Sequence, residues 1–462
     1  MIGPLTVLGI VTLVAVAGVW LVDRRATQLV VGASVAFPQT AGLIVDGNGF
    51  PLFYLAVVEV LLLGAPAALM ALARPRRDAE SRRRFPSDLV GVALVVWAAV
   101  ITIAGPRLFA GMRVFDPALG VDSQVGNMSV LEPSLGNIAQ LGYLTLGVAL
   151  LLTAGRSFPV DTRLLGSTLW VALVLGAVRL VAEPWWPHAL LQNMPGYSYA
   201  TPERLSGTFY EPSVLGLYLV AAACYFGTRL RRGPGRVRVA AVIALGLVGV
   251  EFVANASGTA LLGLVLVAAV AAAVLLVGLL RRPRIGVQPW AVILGTGVFA
   301  LGLTQLPALY DLTIGQAERK ASSFSYLARG LANERSWQIF VETSGLGAGL
   351  GSHRPSSLFF LVLSCLGAIG TALLIALVVL AVVAAVRTPA ASASGWALAG
   401  VIVSGVIAVP DLSMPVIWAA LAACIAARPA AALPPGPARP EAELLQGAPA
   451  QVPALQATEA GE

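Results

Sequence analysis

Apolar runs as long as a membrane-spanning helix recur along almost the whole of this chain. A helix needs about 20 mainly apolar residues to cross the hydrocarbon core of a bilayer. The last two candidates here are short and are separated by Pro410 and Pro415, so one re-entrant hairpin is an alternative. The thirteen candidate spans are 4–22, 26–45, 51–73, 89–105, 134–154, 164–182, 212–228, 239–256, 258–280, 287–304, 357–386, 395–409 and 415–427.

The composition agrees with these runs. Only 11% of the 462 residues are charged and 58% are hydrophobic, whereas a soluble globular chain carries about 25% charged residues because its surface faces water. We therefore predict an all-α fold, a polytopic transmembrane helical bundle of about 12–13 spans over residues 1–427. Residues 428–462 are rich in Pro and Ala and lack aromatic residues, which predicts a disordered cytoplasmic tail.

The distribution of basic residues predicts the orientation, because cytoplasmic loops carry an excess of Lys and Arg. If loop 74–88 is cytoplasmic, alternation of the spans places 21 of the 30 basic residues on that side and 8 on the other. The N-terminus is then outside and the C-terminus inside. The outer side receives three long segments, 106–133, 183–211 and 305–356, and the last of these is long enough to contain a helix of its own around 317–343.

Residue counts argue against several kinds of chemistry. The three cysteines lie in apolar runs, and two histidines, His188 and His353, are too few for a histidine-based metal site. The chain has no GxxxxGK[ST] phosphate-binding motif, and its cytoplasmic loops are too short for a nucleotide-binding fold. We expect no metal, no cofactor and no nucleic-acid partner.

Five of the eight outer basic residues fall in segment 305–356, against the usual orientation rule. One interpretation is local pairing with nearby acidic residues. The other is an anion site, because guanidinium groups bind phosphate oxygens in a bidentate manner. The five residues are Arg319, Lys320, Arg329, Arg335 and Arg354.

Two outer stretches resemble motifs of the O-antigen ligase/polymerase superfamily of bacterial multi-span glycosyltransferases. Residues 204–213 read RLSGTFYEPS and are similar to the family's Arg-x-x-Gly-x-Phe-x-x-Pro motif before a span. The second stretch begins with Arg335 and Trp337 and continues through the turn GLGAGLGS at 345–352 to LGAIG at 366–370. Both motifs occur in the family's order and on the same predicted side.

The resemblance implies a GT-C type glycosyltransferase that uses a polyprenyl-pyrophosphate-linked oligosaccharide donor at the outer face of the bacterial cytoplasmic membrane. Ligases of the family usually have His-Asn after the glycine-rich turn, whereas this chain has His353-Arg354. With Glu211 before Pro212, this favours a polysaccharide polymerase that elongates a glycan on the next lipid-linked repeat unit. A ligase that acts on a lipid or protein acceptor is the alternative. Flippase and chain-length regulator proteins are the implied partners.

The resemblance also implies roles for individual residues. Arg204, Arg335 and Arg354 would bind the pyrophosphate, and Tyr210 would close the pocket or stack on a sugar. Either Glu211 or His353 would be the general base, and the sequence does not decide between them. The plainer alternatives are interfacial anchoring for Arg204, Tyr210 and His353 and a helix-dipole contact for Glu211.

Three charged residues lie inside predicted spans, where charge is costly and is usually paired or functional. They are Glu59, Arg179 and Glu251. Arg179 and Glu251 are near the outer ends of their spans, so we predict that they pair and line an outward-open, substrate-binding cavity. The same three residues would form a relay in a transporter or flippase. The remaining alternative, an inert membrane scaffold, leaves the outer arginines unexplained.

Overall fold

The computed structural model describes residues 2–45, 47–73, 79–119, 121, 124–195, 204–280 and 324–426. These residues form an all-α bundle with two small sheets, which confirms the predicted fold class. The helices are α1 (Val7–Val22), α2 (Thr27–Ser34), α3 (Leu52–Ala73), α4 (Ala79–Leu108), α5 (Leu135–Thr153), α6 (Thr162–Ala182), α7 (His188–Leu191), α8 (Pro212–Arg232), α9 (Gly235–Asn255), α10 (Gly258–Leu280), α11 (Phe324–Glu342), α12 (Leu358–Arg387), α13 (Ser392–Ala408) and α14 (Pro415–Ile425).

Eight helices in the described part are long and apolar enough to cross a membrane: α4, α5, α6, α8, α9, α10, α12 and α13. Three shorter apolar helices accompany them, namely α1, the first part of α3 (Leu52–Pro66) and α14. The chain is therefore a multi-pass membrane protein by the length and composition of its helices. The predicted span 287–304 and the tail 428–462 lie outside the described residues.

The prediction of a helical span over 26–45 is wrong. Helix α2 ends at Ser34, and the chain continues in turns and extended backbone into strand β2 (Ala41–Val45). Pro38 lacks an N–H group and so disfavours continuation of the helix. Backbone groups of this non-helical segment are bound by protein side chains instead: the Tyr218 hydroxyl donates to Val35 O at 2.8 Å, and Ala41 N–H donates to Asn193 Oδ1 at 2.8 Å.

This segment still connects the two ends of α1. Strand β2 pairs antiparallel with β1 (Ile2–Leu5), which precedes α1, and with β3 (Asn48–Pro51), which precedes α3. The chain therefore returns from the C-terminal end of α1 to its N-terminal end through a short helix and extended backbone. Irregular backbone at membrane depth is tolerated where it is buried in protein, and most of residues 35–41 are buried.

The bundle has two distinct ends. At the arginine-rich end, Asp88 pairs with Arg156, and Asp161 N–H donates to Gln28 Oε1 at 2.8 Å. The first contact agrees with the prediction that the end of segment 74–88 and segment 155–163 share one side, and the second places Gln28, which follows segment 23–25, on that side as well; residues 74–78 lie outside the described residues. The opposite end, which we call the loop end, is formed by residues 109–119, 124–134, 183–195, 204–211, 343–357 and 409–414.

The last two helices are separated by a break at 409–414, next to Pro410 and Pro415. All eleven residues of α14 are buried. The helix packs against α5, α6, α12 and α13, so it occupies the interior of the bundle. The break consequently places residues 409–414 at the loop end, above the buried helix.

Helix α11 lies within the predicted helical region 317–343. The expected apolar face of Phe324, Leu327, Leu331 and Trp337 forms, but all four side chains are exposed by 46–60%. A narrow face of smaller side chains contacts the protein instead: Ala328, Ala332, Ser336 and Ile339.

Candidate functional site

The glycine-rich turn positions the second motif. Gly347 has a φ of 90° and packs against the kink in α12 at Gly367, whose φ is 66°. A Cβ atom at Gly367 would stand 2.2 Å from Gly345 O, so no other residue fits without displacing the turn. Positive φ is also a conformation that glycine adopts at little cost. Together these contacts fix the turn, and with it residues 352–357, against α12.

His353 is held by both of its ring nitrogens. The Phe115 N–H donates to Nδ1 at 3.1 Å, and Nε2 lies 2.8 Å from the hydroxyl of Ser336. Because a backbone N–H can only donate, Nδ1 must be unprotonated and Nε2 carries the proton. The Ser336 hydroxyl donates its own hydrogen bond to Ala332 O at 2.7 Å, so its oxygen is the acceptor for Nε2. Burial lowers the pKa of His353 to about 3, so the side chain is a neutral imidazole at physiological pH.

Arg354 and His353 together bind the first long loop. The backbone N–H of Arg354 donates to Phe115 O at 2.8 Å, and its Nη1 donates to Pro117 O at 3.1 Å. Residues 113–117, which include strand β4 (Arg113–Val114), are thereby fixed to the segment that follows the glycine-rich turn. Two of the predicted site residues therefore also serve to hold this strand beside the site.

Two cavities adjoin at the loop end. The larger, of about 150 Å³, is bordered by Tyr210 and Glu211 before α8, by Arg329 of α11, and by Arg354. The smaller, of about 80 Å³, is bordered by Tyr210, His353 and Arg354 together with Gln140 and Asp411. Tyr210, Arg354 and Pro410 border both cavities. The structure thus brings together four of the predicted site residues, namely Tyr210, Glu211, His353 and Arg354.

Glu211 is the residue before the first turn of α8. Its backbone is extended, Pro212 occupies the first helical position, and its Oε2 accepts a hydrogen bond from Ser213 Oγ at 2.8 Å. A carboxylate at this position is favoured by the helix dipole. Glu211 therefore has the helix-dipole contact expected from the sequence and also borders the larger cavity.

Arg204 lies close to this cavity but outside its described lining. Its Nε and Nη2 donate to Asn255 O at 3.1 Å and to Ala256 O at 2.9 Å, which ties the first motif to the end of α9. Burial and then the positive charge of Arg329 lower the pKa of Arg204. Two like charges near each other beside a cavity favour an anion between or next to them.

The structure does not bring Arg335 to either cavity. Its Nη1 and Nη2 donate to the two carboxylate oxygens of Glu342 at 2.7 and 2.9 Å, and its Nε donates to Arg113 O at 2.8 Å. Arg335 thus forms a bidentate ion pair with a nearby acidic residue, which is the local pairing that the sequence analysis gave as one interpretation of the outer basic residues. In this structure the donors of Arg335 hold α11 and strand β4.

The predicted pairing of Arg179 with Glu251 is wrong. Arg179 pairs with Glu183, one turn further along the chain, at 2.7 Å, and also donates to Ser206 Oγ and Gly207 O at 2.7 and 2.6 Å. Its guanidinium lies over the ring of Trp186. Glu251 is fully buried against the backbone of α6 at Gly176. Arg179 thus anchors the first motif to α6 and, among the described residues, borders neither cavity.

Asp411 is the site residue that the sequence analysis missed. It lies in the break between α13 and α14 and is the one charged residue between Arg387 and Arg428. That isolation in an apolar stretch, between two prolines, was the available signal. Burial raises the pKa of Asp411, and this is partly offset by hydrogen bonds from Ser413 and by the positive charge of Arg354. Gln140 was also missed, whereas Arg329 was one of the five outer basic residues of the predicted anion site.

The described residues contain no cluster of three or more His, Cys, Asp and Glu side chains that could hold a metal ion. Comparison of the sequence with known protein-family models and with curated proteins finds no match. The fold and the site define the class: a multi-pass helical membrane protein with two adjoining cavities, lined by polar and charged residues, at one end of the described bundle.

Proposed function

We propose that this protein is a glycosyltransferase that transfers a glycan from a polyprenyl-pyrophosphate donor at the outer face of the bacterial cytoplasmic membrane. The observation that carries the proposal is the meeting of Tyr210, Glu211, Arg329 and Arg354 around one cavity. Two separate sequence motifs, about 140 residues apart, supply three of these residues. Their convergence at one end of the bundle is what a shared active site requires.

The chemistry of the cavity suits a phosphorylated substrate. Arg329 and Arg354 contribute positive charge, and Ser325 and Ser356 add hydrogen-bonding groups. In the proposed reaction the energy resides in the glycosyl-pyrophosphate bond of the donor, so the protein needs no nucleotide. The departing pyrophosphate accumulates negative charge, which prepositioned cations stabilise in the transition state.

A carboxylate is the better candidate for the general base. His353 would have to give up its bond to Phe115 N–H before Nδ1 could accept a proton, and its lowered pKa disfavours protonation. Glu211 and Asp411 both border the cavities. In this proposal Arg204 and Arg179 support the first motif, and Arg335 supports strand β4. Direct binding of pyrophosphate by Arg335 or by Arg204 stays a prediction.

Polymerase activity is our first proposal, and ligase activity is the alternative. A polymerase would extend the glycan on an incoming lipid-linked repeat unit, with flippase and chain-length regulator proteins as partners. Accumulation of single repeat units on lipid after inactivation would identify a polymerase. Accumulation of full-length polymer on its lipid carrier would identify a ligase.

The test is replacement of the cavity arginines in a strain whose polymer depends on this protein. Arg354→Ala and Arg329→Ala should each lower polymer yield by roughly 10²–10³-fold while the protein remains inserted and abundant. Arg107→Ala is the matched control, since Arg107 is exposed at the end of α4 and borders neither cavity among the described residues. Normal polymer in both cavity variants would refute the transferase.

One observation favours a transporter instead. The chain is non-helical at 35–40 and at 409–414, and broken helices are common at transporter binding sites. The proposed relay of Glu59, Arg179 and Glu251 is weakened, however, because Arg179 pairs with Glu183. A cysteine at Ser356 distinguishes the two functions: a transporter should expose it to membrane-impermeant maleimide from both sides of the membrane, and a transferase from one side.

A further inference from the structure

Asp411 is held in a defined orientation at the loop end. The N–H and the hydroxyl of Ser413 both donate to its Oδ1, at 2.8 and 2.5 Å. The Tyr54 hydroxyl in turn donates to Ser413 O at 2.8 Å, which anchors the break to α3. Among the described residues, Oδ2 accepts no hydrogen bond from a side chain or the backbone. One carboxylate oxygen is therefore fixed, and the other is available beside the smaller cavity.

The two adjoining cavities differ in charge. The larger has Arg329 and Arg354 with one carboxylate, Glu211, which is already bonded to Ser213. The smaller has the Asp411 carboxylate, the Gln140 amide and the neutral His353 around the same Arg354. A pyrophosphate is favoured in the larger cavity and is repelled from the smaller by Asp411. The smaller cavity suits a neutral group rich in hydroxyls, which can donate to a carboxylate and exchange hydrogen bonds with an amide.

We propose that the smaller cavity is the subsite for the acceptor sugar and that Oδ2 of Asp411 takes the proton of its attacking hydroxyl. This inference rests on the proposed glycosyl transfer. The hydroxyl oxygen forms a bond to the anomeric carbon of the donor sugar, and the bond from that carbon to the pyrophosphate oxygen breaks. The bonding pair leaves on the pyrophosphate, which stays beside Arg329 and Arg354. The proton moves to Asp411 and is then released to water.

The boundary between the cavities suits this division. Tyr210, Arg354 and Pro410 border both, so a donor in one and an acceptor in the other would meet at these residues. Partial burial of Asp411 also favours its role, because a carboxyl whose pKa is raised accepts a proton more readily. Gln140 of α5 would orient the acceptor and would not exchange protons.

The test uses the full-length chain in lipid nanodiscs and two probes. Farnesyl pyrophosphate, measured by equilibrium dialysis, reports the donor side. A mixture of the methyl glycosides of glucose, galactose, mannose, rhamnose and N-acetylglucosamine, measured by saturation-transfer NMR, reports the acceptor side. Asp411→Asn and Gln140→Ala should lower the sugar signal at least ~5-fold and leave farnesyl pyrophosphate binding within ~2-fold of the wild type. Arg329→Ala should lower farnesyl pyrophosphate binding at least ~5-fold and leave the sugar signal within ~2-fold.

Transfer in cells provides a second readout. Asp411→Asn should lower polymer yield by roughly 10²–10⁴-fold, and Asp411→Glu should restore part of it. The matched control is Glu132→Gln, which removes an exposed acidic group from the same end of the bundle. Polymer yield should be unchanged in this control.

The outcomes separate this inference from the proposed function. Three results would overturn the acceptor subsite while donor binding persists. The first is sugar binding that survives in both Asp411→Asn and Gln140→Ala, the second is absence of sugar binding by the wild type, and the third is normal polymer yield in Asp411→Asn. Failure of the wild type to bind farnesyl pyrophosphate, with sugar binding that still depends on Asp411, would instead overturn the lipid-pyrophosphate donor.

Discussion

The buried imidazole of His353 makes the stability of the site depend on pH. In the folded protein its pKa is lowered to about 3, whereas in the unfolded chain it is about 6.5. The unfolded state therefore binds the proton first, and stability is lost as pH falls through 6.5 towards 3. We expect the thermal unfolding midpoint to fall between pH 7 and pH 5, and to fall less in His353→Gln.

His188 provides the matched control, because it is the second of two histidines and its side chain is 34% exposed. His188→Gln should keep the pH dependence of the wild type, as followed by thermal unfolding in detergent. Equal pH dependence in the wild type and in His353→Gln would show that His353 is not the source of the acid sensitivity.

The pair of Arg335 and Glu342 separates a structural from a substrate-binding role for this arginine. If Arg335 acts through the ion pair and Arg113 O, then Arg335→Ala and Glu342→Ala should lower polymer yield to a similar, partial extent. If Arg335 binds pyrophosphate directly, Arg335→Ala alone should abolish polymer. Farnesyl pyrophosphate binding by the two variants distinguishes the cases, because only direct contact makes Arg335→Ala lose binding while Glu342→Ala retains it.

At the scale of elements, the kink in α12 is the feature most sensitive to substitution. Gly367→Ala adds a Cβ atom 2.2 Å from Gly345 O and places alanine at positive φ, which alone costs about 1–2 kcal/mol. We expect a lower unfolding midpoint and reduced polymer, because the turn that carries His353 and Arg354 must move. Gly246→Ala in α9 is the control: it meets no atom within 4 Å and should leave both readouts unchanged.

Elements were predictable from the sequence where a single property defines them. A run of about 20 apolar residues is sufficient for a spanning helix, so spans such as 164–182 and 212–228 were found close to their helices α6 and α8. Segment 26–45 has the same apolarity, yet hydropathy does not distinguish a helix from extended chain inside a bundle. The bonds from Tyr218 and Asn193 that permit extended chain there come from distant residues and leave no local signal.

The candidate site was likewise predictable only where a local sequence pattern marks its residues. Tyr210, Glu211, His353 and Arg354 were predicted because they belong to two short motifs, and these motifs meet in the structure. Asp411 is marked in the sequence by its isolation between two prolines, and Arg329 by the cluster of outer basic residues. Their places beside the cavities, like that of Gln140, depend on the tertiary packing of α14, α11 and α5. Arg335 and Arg179 have motif-like positions, but acidic partners within one or two turns hold them, and their choice of partner depends on side-chain geometry.

At the scale of the whole molecule, the orientation is the most direct test. The two ends of the bundle differ in their number of basic residues. Because cytoplasmic loops carry an excess of Lys and Arg, we predict that the arginine-rich end is cytoplasmic and that the loop end is outside. Single cysteines at Leu119 and at Arg163 in a cysteine-free background should show this. Membrane-impermeant maleimide should label position 119 in intact cells, and position 163 only after lysis. The reverse pattern would place the cavities in the cytosol, away from any outer-face substrate.

The buried position of α14 bears on how the protein is made. A helix with no lipid-facing side must enter the bundle between helices that were synthesised before it, so α5, α6 and α12 have to leave room until α14 has been synthesised. Val409 and Pro410 of the larger cavity, and Pro410 and Asp411 of the smaller, arrive with it. A chain interrupted before Pro410 would therefore insert the helices that precede it and still lack one wall of its cavities, which ties the completion of the site to the insertion of α14.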